Sequence, residues 1–90
     1  SWSSMGKTFI IFKINVKDME NMDAAEKEIR ACVNGECKDI KREPIGFGIV
    51  VIKAGFVIPE KKDDALDLLT KEIETLPSVE SVEVEGMTLV

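Results

Sequence analysis

The sequence predicts a small α+β domain, a four-stranded antiparallel sheet with two helices on one face. Three observations predict it. The chain has 90 residues, enough for one core and too few for two. Apolar residues are 44% and charged residues 32%, the balance of an ordinary globular protein, which excludes disorder by composition and a coiled-coil or collagen-like rod. The apolar period switches between two and about 3.6 residues in the order strand, helix, strand, strand, helix, strand.

Thr8–Val16 alternates. Ile10, Phe12, Ile14 and Val16 fall on one face, and Phe9, Ile11, Lys13 and Asn15 on the other, as in a strand with one strongly buried face. Asn21 suits the N-cap of the next element. There Met22, Ala25, Ile29, Cys32 and Val33 recur at helical spacing, with Glu26, Lys27, Glu28 and Arg30 outside. Asn34-Gly35 supplies the stop. Glu36–Glu43 is charged, with Ile40 its only large apolar residue. It reads as an edge strand or extended connection whose charges discourage sheet-to-sheet association. Pro44 bars a continuous central strand at that point.

Ile45–Ile58 is the most apolar stretch. Val50, Ile52, Ala54, Phe56 and Ile58 share one face; Ile49, Val51, Gly55 and Val57 share the other with Lys53. Apolar residues on both faces predict a central strand, ended by Pro59. Asp63 or Asp64 caps a second helix that ends near Leu76, with Ala65, Leu66, Leu69, Ile73 and Leu76 as its buried stripe. Pro77-Ser78 breaks it. Val79–Val84 alternates, with Val82 and Val84 inward and Glu83 and Glu85 outward; Gly86 loosens the tail Met87-Thr88-Leu89-Val90. This order is the split βαβ, or ferredoxin-like, pattern βαββαβ. The sheet face away from the helices carries Ile11, Ile49, Val51 and Val57, more apolar than a solvated face should be. A docking surface, a dimer contact and scattered aliphatics all fit that.

The net charge is −5 and uneven: residues 46–90 hold four basic and nine acidic side chains, with no basic residue after Lys71. Only Lys38, Lys41 and Arg42 cluster, interleaved with Asp39 and Glu43, so direct nucleic-acid binding is disfavoured; the acidic surface fits a protein partner better, and solubility alone accounts for it equally well. There is no histidine to serve as a base or imidazole ligand. Cys32 and Cys37 alone do not make a zinc site, and in the cytoplasm they read as structural thiols. Gly46 and Gly48 lack the Lys-Ser or Lys-Thr of a phosphate loop. No metal, cofactor or covalent chemistry is expected. No apolar run approaches the ~20 residues that span a bilayer, and no signal peptide is evident, so the expected location is the cytoplasm. Ser1-Trp2-Ser3-Ser4 before Met5 reads as a cloning remnant, with residues 1–6 a disordered start and residues 7–90 the single domain.

The most distinctive segment is Glu43-Pro44-Ile45-Gly46-Phe47-Gly48-Ile49. It resembles the Pro-Ile-Gly-Phe-Gly and Pro-Ile-Ala-Phe-Gly signature of the guanine-nucleotide-exchange domain of translation elongation factor 1-beta. The order of elements, the acidic-capped second helix and the segment Val79–Val84 look like that family too, from Lys7 to Val90, and the length is similar to the archaeal form. The resemblance implies a factor that binds the GTPase elongation factor 1-alpha and accelerates GDP release. It implies partner contacts at Pro44, Ile45, Gly46, Phe47 and Gly48, and in the tail at Thr88 and Leu89. The tail departs from the family, having no Lys or Arg to approach a magnesium site. The alternative is a small ferredoxin-like ligand-binding or regulatory module without exchange activity.

Overall fold

The computed structural model describes residues 6–59 and 64–89. The segment Ser1–Ser4 expected to be a cloning remnant, the candidate cap Asp63 and Val90 lie outside the described residues. The order is β1 (Lys7–Val16), α1 (Met22–Arg30), β2 (Glu36–Gly46), β3 (Ile49–Pro59), α2 (Ala65–Glu74) and β4 (Val79–Leu89). The strands form one antiparallel sheet in the spatial order β2-β3-β1-β4. This is the ferredoxin-like α+β fold that the sequence predicts.

The alternation of β1 sends Ile10, Phe12 and Ile14 into full burial beneath the helices. Ile52, Ala54 and Phe56 of β3 join them, and Phe12 meets Phe56 edge to face, with ring centroids 5.7 Å apart at 79°, an arrangement the ring quadrupoles favour. Ala25 and Ile29 of α1 and Leu69 and Ile73 of α2 close the layer from above. Each fully buried Phe, Ile or Leu contributes roughly 1.5–3 kcal/mol.

The helices differ from expectation at their ends. A 3₁₀ turn, Met19–Asn21, precedes α1, and its cap is Asp18, which accepts from the Glu20 amide at 2.9 Å. Asn21 stands at the N-cap of α1 but makes no side-chain cap bond, and neither does Asp64 before α2. Because α1 stops at Arg30, Val33 leaves the helical spacing and is exposed. Asn34-Gly35 is therefore not the stop. Gly35 is needed for space: a Cβ there would lie 2.6 Å from the Leu69 side chain. Asn34 and Val33 are instead held by Glu72 of α2, whose carboxylate accepts from both backbone amides and from the Asn34 side chain at 2.9–3.1 Å.

The strands also run further than expected. β2 continues through Pro44, which pairs with Val50. It can do so because β2 is an edge, where a missing N–H faces no neighbour. Gly86 does not loosen the tail: β4 carries on to Leu89, opposite Thr8. Val84 faces the helix side opposite Phe12 as expected but stays half exposed there. Both edge strands are interrupted by one-residue irregularities. On β2 they fall at Lys38 and Ile45, and on β4 at Glu80 and Glu85.

The sheet face away from the helices is roofed by its own side chains. Val51 is fully buried and Ile11 and Val57 are half-buried. The Phe9 ring lies over Gly55, where a Cβ would be 2.5 Å from ring carbon Cζ. Lys41, Lys53 and Lys13 stand in register on β2, β3 and β1. Lys53 pairs with Glu85 and, at 3.7 Å, with Glu43; Lys13 pairs with Glu83 at 3.7 Å. Of the four apolar residues expected there, only Ile49 is exposed.

Candidate functional site

The hairpin between β2 and β3 carries the predicted site residues of the first cluster. Gly46 pairs with Ile49, leaving Phe47-Gly48 as a two-residue loop. Both loop residues have positive φ, 55° at Phe47 and 75° at Gly48, as in a type I′ turn, whose backbone matches the strand twist. Gly46 precedes them at 107°. No atom lies within 4 Å of a Cβ placed at Gly46 or Gly48, so conformation and not crowding requires glycine at both. A bulky residue at positive φ is an outlier held by its surroundings.

The consequence is exposure. Phe47 is 102% exposed, as far from a core residue as a phenylalanine can be, with Ile45 and Ile49 nearly half exposed beside it. Pro44 and the irregularity at Ile45 lead into the turn. Behind them Arg42 roots the hairpin. Its Nε and Nη2 donate to Glu26 and Asp23 of α1, each at 2.5 Å, and the Glu26 bond, then the Asp23 bond, push the guanidinium pKa up. The result is an apolar claw on a braced two-stranded arm.

Thr88 and Leu89, the second predicted cluster, are exposed at the end of β4, opposite Phe9 and Thr8. The fold does not bring the two clusters together. β3 runs from Ile49 beside the turn to Ile58 beside Thr8, which at ~3.3 Å per residue is about 30 Å. Sequence reading could not give that separation, because it follows from the pairing of β1 with both β3 and β4.

No activated nucleophile accompanies either cluster. Cys32 and Cys37 are free thiols lining one shallow cavity of about 550 Å³ with Arg30 and Asn34. Burial, and then the charge of Glu72, pushes Cys32 up to about 12; burial also pushes Cys37 up. A thiol that resists ionisation is a poor nucleophile. Among the described residues, no three His, Cys, Asp or Glu side chains converge to hold a metal ion, and no helix is long and apolar enough to cross a membrane.

Residues 9–90 match the model of the EF-1 guanine nucleotide exchange domain. The chain belongs to that family. Among curated relatives, elongation factor 1-beta of Methanoculleus marisnigri is 39% identical over 82 residues, covering 88% of this chain and 95% of the relative. That of Methanocorpusculum labreanum is 32% identical, covering 92% and 95%, and that of Pyrococcus abyssi 27%, covering 87% and 89%. Among solved structures, the C-terminal domain of the MgtC protein from Mycobacterium tuberculosis superposes with a TM-score of 0.53 at 13% identity, covering 100% of this chain and 93% of that one; this likeness shows the fold alone. In this exchange-domain chain the family signature occupies the exposed turn. Family membership favours nucleotide exchange over the ligand-binding module.

Proposed function

We infer that this chain is a guanine-nucleotide exchange factor for the translation GTPase elongation factor 1-alpha, with residues 7–90 as its working domain. The observation that carries the reading is the match to the exchange-domain family over residues 9–90. The exposed Phe47 supports it, since a fully exposed aromatic on a braced turn is an unusual feature for a free monomer. As a translation factor it would act in the cytoplasm.

An exchange factor makes and breaks no bond. It must bind the nucleotide-free GTPase more tightly than the nucleotide-bound one, since only that difference shifts the equilibrium. By linkage it weakens GDP by the ratio that GDP weakens it. Phe47 is the anchor, offering a large apolar contact. Gly46 and Gly48 allow the partner's backbone close, and Pro44 and Ile45 complete the tip. The turn is set before binding, which spares the entropy of ordering it on contact. Thr88 and Leu89 form a second contact at the other end. With no basic residue after Lys71, exchange here either works by wedging rather than by displacing magnesium with a positive charge, or is weak.

The test is release of fluorescent GDP from a matched archaeal elongation factor 1-alpha, chased with unlabelled nucleotide. Acceleration of tenfold or more, about 1.4 kcal/mol off the barrier, is expected, and Phe47→Ala should lose most of it while remaining folded. Failure of the intact protein to accelerate release would sink the reading; full activity of Phe47→Ala would remove the turn from the contact.

A further inference from the structure

β4 is not a regular strand. Ile11 pairs with Gly86 and Phe12 with Val84, so Glu85 is an extra residue on β4. Side chains alternate along a strand, so one inserted residue reverses every face beyond it. Before Glu85 the even-numbered residues Val82 and Val84 lie opposite Ile14 and Phe12 on the helix side. After it the odd-numbered Met87 and Leu89 lie opposite Ile10 and Thr8 on that side, and Thr88 moves opposite Phe9 on the other. Without the extra residue Leu89 and Thr88 would exchange faces.

One side chain reaches this irregularity from a distance. Lys53 belongs to β3, and β1 lies between β3 and β4. Its ammonium nonetheless crosses β1 to donate to Glu85 Oε2. The Lys53 side chain is only 12% exposed, so its stem is packed along the sheet. It stands directly opposite Lys13 and Lys41, and like charges in register repel. Glu85 and Glu43 offset that repulsion, and they draw the Lys53 ammonium toward β4 on one side and β2 on the other.

We propose that Lys53 is a positioning residue: through Glu85 it fixes the one-residue irregularity in β4 and thereby decides which faces of the sheet present Leu89 and Thr88 to the GTPase. The functional half rests on the exchange reading above. Lys53 itself touches no partner in this scheme.

The experiment compares GDP release against factor concentration for the intact protein, Lys53→Met, Lys53→Arg, Leu89→Ala and the double variant Lys53→Met/Leu89→Ala. Lys53→Met keeps the stem and removes the charge. It should raise the concentration for half-maximal release at least threefold, Lys53→Arg should restore it, and the double variant should be no worse than the poorer single one, as expected when both act through the same contact. Unchanged release by a folded Lys53→Met, or losses that multiply in the double variant, would overturn the proposal. Nuclear Overhauser contacts between Phe9 and Thr88 read the register directly. They should weaken or shift in Lys53→Met, and their persistence would overturn the proposal whatever the exchange assay reads. An inactive intact protein would remove the exchange reading alone, with the register measurement still deciding the role of Lys53. Should Lys53→Met not fold, Glu85→Gln tests the same pair from its exposed partner by both readouts.

Discussion

Phe47 adopts a backbone conformation that its own side chain disfavours, a cost on the order of 1 kcal/mol. Phe47→Asn therefore separates stability from contact, since Asn tolerates φ near 55°. Urea unfolding should show the variant as stable as the intact chain or firmer by about 0.5–1 kcal/mol, while GDP release falls as it does for Phe47→Ala. Cys32 offers a different single-residue test. Burial in the folded protein pushes its thiol up to about 12 from an ordinary value of 9.0. The unfolded chain releases that proton first as the pH rises, so this contribution is complete below pH 9 and is lost progressively toward 12. The unfolding free energy from urea titrations should fall between pH 9 and 12 by a slope of at most about 1.4 kcal/mol per pH unit from this thiol, and Cys32→Ala should reduce that slope. Gly55 tests packing on the outer sheet face. An alanine there meets the Phe9 ring at 2.5 Å, and an overpacked site of this kind costs about 1–3 kcal/mol in the same urea assay.

At the scale of elements, two carboxylates from one helix or the other pin loops distant in sequence. Glu72 of α2 binds the backbone at Val33 and Asn34, and Glu28 of α1 binds the Ser78 amide and hydroxyl at 3.3 and 3.0 Å. Glu72→Ala strands the two amides it serves and should cost about 1–2 kcal/mol. Hydrogen exchange at Val33 and Asn34 should quicken before that of the β3 amides. None of this was legible in the sequence, because Glu72 and Asn34 are 38 residues apart and a surface glutamate has no signature of its target. What was legible is the face of each strand, since a period of two leaves one reading for Ile10, Phe12 and Ile14. The stripes of α1 and α2 were legible for the same reason, though not their ends: Val33 keeps helical spacing from Ile29 after the helix has stopped.

For the whole molecule, the order of elements was enough to reach the ferredoxin-like sheet, and the signature around Phe47 was enough to reach the family. The exposure of Phe47 was not readable from its flanking glycines alone, which fit a bulge as well as a turn. Nor was the distance between turn and tail, which depends on sheet order. The irregularities at Lys38, Ile45, Glu80 and Glu85 were invisible too, because any residue can occupy them. Yet they carry a consequence of their own. Fibril formation by stacked strands needs six or seven consecutive residues that can pair in register. On β4 the uninterrupted runs are Ser81–Val84 and Gly86–Leu89, and on β2 the longest is Asp39–Pro44, which holds four charges and a proline. The β4 runs are too short to seed such stacking, and the six-residue run on β2 is disqualified by its charges and its proline, so protein heated past its transition should stay free of thioflavin-binding fibres and regain its spectrum on cooling.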